Sequence, residues 1–183
     1  MSHRSAPMLV SLLVVMAVAT GARPGWPESC PTLTTCFTPG GNCTQMIVQV
    51  LGGAKRSILT QAYRFTSAPI AKALLDAHTR GVQVQVILDK SQRSEKYSSA
   101  DFLANQGVPT LIDATHAIAH NKVMVVDGEV VLTGSFHFTK AAQEKNAENL
   151  LIIRDPALAA QYTQNWDAHR QHSQPYVGRG VRS

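Results

Sequence analysis

The chain has 183 residues, enough for one domain with its own core and too few for two ordinary ones, which excludes a multidomain enzyme. Hydrophobic residues make up 44% and charged residues 16%, so folding can bury enough apolar surface to offset chain entropy, and wholesale disorder is excluded. The net charge of +5 points towards polyanionic partners without naming one.

His3 and Arg4 precede an apolar run from Met8 to Ala19, and Ala17-Val18-Ala19 has the small-x-small form of a signal-peptidase site. The run is well short of the roughly 20 residues that span a bilayer. Residues 1–19 therefore read as a cleaved secretory signal. Its removal takes away Arg4 and no acid, so the basic character belongs to the mature chain. Residues 20–43 hold all three cysteines, ahead of the first regular element. Export permits disulfides. Cys36 and Cys43 flank the turn-rich Thr38-Pro39-Gly40-Gly41-Asn42, which favours that pair and leaves Cys30 free; Cys30 with Cys36 is the alternative.

From Thr44 the chain alternates helix and strand. Met46, Ile47, Val50 and Leu51 recur at helical spacing over 44–54, and Ser57 to Tyr63 reads as a strand. Ser67 caps a helix with Pro69 in its first turn, which runs through Ile70, Leu74 and Leu75 to a stop at Gly81. Val82 to Leu88 is a strand, Lys90 to Ser99 a polar loop, Ala100 to Gln106 a short helix and Val108 to Ile112 a short strand. His120 to Val126 is β-favouring, Asp127-Gly128 is a two-residue hairpin signal, and Val130 to Gly134 returns. Leu150 to Ile153 is a further strand, and Pro156 opens a last helix carrying Leu158, Tyr162 and Trp166. Residues 172–183 read as a loose tail. The order implies one α/β domain over 44–171 with a mixed sheet.

A two-residue turn sets Lys122 opposite Thr133 and His120 opposite Ser135, so these four share one strand face. Val123 and Val125 then lie on the other face, opposite Leu132 and Val130. An imidazole, an ammonium and hydroxyl groups gathered on one face suit a phosphate, because they supply a nucleophile or base, a fixed cation and a donor. An isolated His-x-Lys is equally common on a solvated strand, and spacing alone does not decide between the two.

The wider pattern adds a resemblance. His120-Asn121-Lys122, four residues, Asp127, six residues and Gly134-Ser135 resemble the HxK(x)4D(x)6GS signature of the phospholipase D superfamily. Tyr63-Arg64-Phe65-Thr66 through Pro69, Val82 to Asp89, Gly134-Ser135-Phe136, Phe138 to Ala142 and Asn146-Ala147-Glu148-Asn149 resemble its small exported Nuc-type endonucleases, over about Cys36 to Trp166. The resemblance implies a single-domain α-β-α sandwich with a mixed central sheet. It implies that His120 attacks phosphorus to give a phosphohistidine, that Lys122 and Ser135 hold the non-bridging oxygens, and that Glu148 orients an active-site histidine. Asp127 is expected to brace the hairpin and Asn149 to add a phosphate contact. Position 137 departs from the pattern: it is His, where the family commonly carries Asn, so His137 is expected to replace that donor or alter the pH response.

No metal or other cofactor is implied, since lysine does the cation work, and activity is expected to survive EDTA. His116 and His120 are four apart, but the residues between them do not read as helix, and His169 and His172 read as solvated. Larger family members carry two HxK motifs in one chain; this chain carries one, which implies a homodimer with a shared active site. Three functions follow from the pattern: an exported, periplasmic or secreted endonuclease without sequence preference, acting on DNA with RNA as a further substrate; a phospholipase D acting on phospholipid head groups; and a nucleic-acid binder that has lost catalysis.

Overall fold

Strand and helix alternate along the chain in a computed structural model that describes residues 30–179; the signal-like run at 1–19 lies outside them. The elements are β1 (Thr32–Thr38), α1 (Cys43–Gly52), β2 (Ser57–Ala62), α2 (Ala68–Thr79), β3 (Gln83–Asp89), α3 (Ser99–Asn105), β4 (Thr110–Asp113), β5 (Lys122–Val126), β6 (Val130–Gly134), α4 (Lys140–Glu144), β7 (Glu148–Arg154), α5 (Pro156–His172) and β8 (Gln174–Pro175). The strands form one mixed sheet in the order β1-β7-β6-β5-β2-β3-β4-β8. β2, β3 and β4 are parallel and joined through α2 and α3; the other pairs are antiparallel.

Both faces of the sheet are core, which makes three layers. Ile58, Val84, Val86, Met124, Val126, Val130 and Leu132 pack with Ile47 and Leu51 of α1, Ile70 and Leu74 of α2, and Leu103 of α3. Val123, Val125 and Val131 face the other way, against Ala159, Leu158 and Tyr162 of α5. Trp166 anchors α5 by donating its indole N–H to the Thr60 carbonyl (3.0 Å), so its one polar atom is satisfied inside the core. Pro156 sits in the first turn of α5, where Asp155 caps by accepting from the Ala157 and Leu158 amides.

The hairpin differs from the two-residue expectation. Val126 pairs with Val130, Val125 with Val131 and Met124 with Leu132, one residue out of the expected register. Continuing that register sets Lys122 level with Gly134, so Lys122 and Thr133 lie on opposite faces, and the expected all-polar face does not form. Asp127 and Gly128 both adopt positive φ (56° and 68°), a turn that Asp and Gly tolerate. The Asp127 carboxylate accepts from the amides of Lys55, Arg56 and Ser57 (3.0, 2.7 and 2.9 Å) and so ties the turn to the start of β2. Burial pushes this carboxyl up, and the three amide donors and Arg56 outweigh it, leaving it below its usual value.

Three further elements extend the predicted set. β1 pairs with β7 as an edge strand, so Cys36 belongs to the sheet rather than to a segment ahead of it. Cys36 and Cys43 are disulfide-bonded with Cα atoms 5.6 Å apart, and Cys30 is free and exposed. α4 is capped by Thr139, whose hydroxyl accepts from the Ala142 amide. At the other end, the expected loose tail instead carries β8, which pairs with β4, and continues to Tyr176 and Arg179, both bonded to Asp101.

Candidate active site

The carboxyl ends of β2, β3 and β4, the amino end of β5 and the carboxyl end of β6 share one edge of the sheet, because β5 runs antiparallel to β2 and β6 antiparallel to β5. In open α/β sheets this edge is where ligands bind. His120, Lys122, Ser135 and Glu148 all emerge here and line one open cleft with Asn121, Thr133, His137 and Tyr162. The expected residues therefore come together, by leaving strand ends rather than by sharing a strand face.

Each is positioned by its neighbours in sequence. Lys122 is the first residue of β5 and only 7% exposed. Its ammonium donates to the His120 carbonyl (2.6 Å) and lies 2.9 Å from Nδ1 and 3.1 Å from Nε2 of the imidazole. Burial pushes this ammonium below its ordinary value, and the Glu148 carboxylate pulls it back up. Beyond β6, Phe136 and Phe138 are buried, so Ser135 and His137, alternating with them, turn outwards. Gly134 at φ 142° makes this exit possible: a side chain there would collide with the Asn149 carbonyl, which accepts from the Phe136 amide (3.0 Å). The Ser135 hydroxyl accepts from the Asn149 amide (3.0 Å), which fixes the oxygen and leaves its proton free to be donated. Glu148 accepts from Asn146 (3.0 Å), and among the described hydrogen bonds it has none to His120.

Two contributors were not anticipated. Tyr63 packs against both His120 and His137, with ring centroids 4.8 and 5.9 Å away, and its amide donates to the Asn121 carbonyl. The buried carboxylate of Asp89, at the end of β3, accepts from the Ala119 amide (2.8 Å) and so pins the residue before His120. A polar residue ending a run of buried β positions is the signal that marks Asp89.

His137 behaves differently from the Asn expected at its place. Burial first, then the nearby Lys122 and, after it, His120 and Arg64, push its pKa down to about 4 against the opposing pull of Glu148. Its Nδ1 is buried without a partner. The folded state therefore binds fewer protons at this site than the unfolded chain between about pH 4 and the ordinary value of 6.5, and stability falls as pH falls through that window. His137→Asn should flatten the loss; denaturant midpoints at pH 7.5 and 5.0 test this, and an unchanged pH dependence in the variant would remove His137 as its source.

A second group of side chains collects at the same edge, outside this cleft. Asp113, His116, His169 and His172 converge, although the sequence pairs His116 with nothing and reads the other two histidines as solvated. The legible signal is His-x-x-His in the last turn of a helix, which places both rings on one side.

An α/β sheet that offers an imidazole, a buried ammonium and a hydroxyl at its ligand-binding edge has the parts of a phosphoryl-transfer hydrolase working through a protein nucleophile. Comparison with known proteins gives the lineage: residues 47–170 match the family model described as cardiolipin synthase, PLD-like domain. A phospholipase D of Rickettsia typhi is 46% identical over 134 residues, which cover 73% of this chain and 66% of that protein. The chain thus spans about two thirds of that relative's length. A mitochondrial cardiolipin hydrolase of Xenopus laevis is 37% identical over 68% of the chain and 59% of that protein. Among solved structures, the phospholipase D family member Nuc of Salmonella typhimurium superposes with a TM-score of 0.78 at 35% identity, over 81% of this chain and 99% of that one. The chain belongs to the phospholipase D-like family, a family of phosphodiesterases.

Proposed function

We propose that this phosphodiesterase is an exported endonuclease without sequence preference, cutting DNA and, secondarily, RNA through a phosphohistidine. His120 attacks phosphorus as the neutral imidazole, the leaving oxygen takes a proton, and water then displaces the imidazole from phosphorus to release a phosphomonoester. Lys122 and Ser135 bind the non-bridging oxygens, Asn149 holds Ser135, Glu148 orients the histidine of a second copy, and Asp127 braces the hairpin.

One observation carries nucleic acid over lipid. Next to the His120 cleft, and joined to it at His137, runs a second cleft lined by Arg64, Lys140, Thr66, Thr139 and Tyr97, with Glu95 the single acid among two cations. Tyr97 is 71% exposed, and the Lys96 ammonium lies 5.4 Å from its ring centroid. Cations beside an exposed ring are what a polynucleotide needs, charge for successive phosphates and a face for a base. Export is supported by the apolar run at 1–19 and by the disulfide.

The phospholipase reading draws on the names of the rickettsial relatives and on Ile118, 55% exposed two residues before His120, an apolar group that a bilayer would accept. The purified chain should nick supercoiled plasmid without added metal and leave phosphatidylcholine vesicles intact. Arg64→Ala with Lys140→Ala should weaken DNA cleavage about tenfold or more and flatten its salt dependence. Choline release with intact plasmid reverses the assignment, and cleavage of neither substrate favours the binding protein.

A further inference from the structure

The Asp113 carboxylate, at the end of β4, is fully buried (side-chain exposure 0%). Three imidazoles surround one of its oxygens: His116 Nδ1 at 3.0 Å, His169 Nδ1 at 2.9 Å and His172 Nε2 at 3.3 Å from Oδ2. The other oxygen, Oδ1, accepts from the Thr115 amide. A carboxylate oxygen offers about two lone-pair positions, so three ring nitrogens exceed what it can accept as hydrogen bonds. Among the described residues no lysine or arginine pairs with this carboxylate, and the histidines are its whole polar surrounding apart from that amide.

We propose that Asp113, His116, His169 and His172 form a divalent transition-metal site, best matched by Zn²⁺, that fastens the end of α5 to β4 and to the loop leading to His120. A cation at the centre of the four resolves the crowding, because each ring nitrogen then presents a lone pair to the metal instead of a proton to one oxygen. The ligand set is three borderline nitrogens and one carboxylate oxygen, which suits Zn²⁺ and its first-row neighbours and not Mg²⁺ or Ca²⁺. The four ligand atoms lie within 4.8 Å of one another. Bonds of about 2.0–2.1 Å in a tetrahedron set ligand atoms about 3.3 Å apart. The remaining contraction falls to the rings, whose side chains are 43%, 16% and 34% exposed for His116, His169 and His172 and have room to turn about a fixed Asp113. The carboxylate is oriented from behind by the Thr115 amide, the outer support that metal ligands usually receive.

The site stands apart from the chemistry. β4 is three strands from β5 in the sheet, which places Asp113 roughly 14 Å from Lys122 at about 4.8 Å per strand. What it joins is structural: the carboxyl end of β4, residue 116 of the β4–β5 loop, and the last turn of α5 immediately before β8. Residues 113, 116, 169 and 172 would thereby close the sheet edge beside the active site with one bond centre.

The test is binding, with no use of activity. Chain stripped with EDTA and dialysed should take up one Zn²⁺ per chain in calorimetric titration at pH 7.5, and Zn²⁺ at about 100 times Kd should raise Tm by on the order of 5–10 °C. His169→Ala with His172→Ala should lose both effects, while His120→Asn, which removes an imidazole outside the cluster, should keep both. If the double variant does not fold, His172→Gln alone, with wild-type circular dichroism, should bind at least about tenfold more weakly. No stoichiometric uptake by the stripped wild type, unchanged uptake in the cluster variants, or loss of uptake in His120→Asn would each overturn the proposal.

Discussion

His120→Ala should abolish turnover, lowering kcat/KM by about 10⁴-fold or more, the scale on which loss of a protein nucleophile is felt. The fold should survive. His120 is exposed and lies ahead of β5, outside both hydrophobic clusters, so its removal opens no cavity and breaks no ladder. Lys122→Ala should cost about 10²-fold or more, since it withdraws the buried cation from the developing charge on the phosphate oxygens. That variant also loses the bond to the His120 carbonyl, so part of its loss reflects a less fixed nucleophile. The checks are single-turnover kinetics with a phosphodiester substrate and urea midpoints for each variant. Activity near wild type in His120→Ala would remove the nucleophile from the assignment.

How much of this was legible in the sequence depended on whether burial left a pattern. The parallel half was readable: the helix from Ala68 to Thr79 has apolar residues at helical spacing, a proline in its first turn and Gly81 beyond its end. The hairpin register was not. β5 reads KVMVV and β6 reads VVLTG, apolar at nearly every position because both sheet faces are covered, so hydrophobic alternation has no preference between registers one residue apart. β1, with its run of threonines and only Cys36 and Thr38 buried, lacks the apolar density that marks a strand and is held instead by pairing to β7. The site residues were legible as types, because His, Lys and Ser at fixed gaps are visible in one dimension. Their meeting at a sheet edge, and the support from Tyr63 and Asp89, required the topology. The same holds for Asp113 and His169, which are 56 residues apart in the chain and 2.9 Å apart in space.

On the proposal that the active unit is a homodimer whose two-fold axis shares each site between copies, an equal mixture of wild-type and His120→Ala subunits, allowed to exchange, should retain about one quarter of the wild-type activity rather than the about one half expected of independent sites. The reasoning begins with the proton. Displacing an alkoxide from phosphorus needs an acid as well as a nucleophile, and within one chain the other imidazole in the cleft is His137, its ring centroid 5.4 Å from that of His120. With a pKa pushed down to about 4, His137 is neutral near neutral pH and has no imidazolium proton to give. Within the chain Glu148 accepts from Asn146 through one oxygen only, and among the described hydrogen bonds it makes none to His120. A second copy placed by a two-fold axis through the cleft supplies both deficits at once, its His120 as the acid and its Glu148 to orient the histidine opposite. The two imidazoles then titrate as a coupled pair, so kcat/KM should follow a bell-shaped pH profile whose limbs belong to the pair, and His137→Asn should leave both limbs in place. Full specific activity in a species that sedimentation shows to be monomeric at the assay concentration would refute the shared site and return the acid's role to a residue of the same chain.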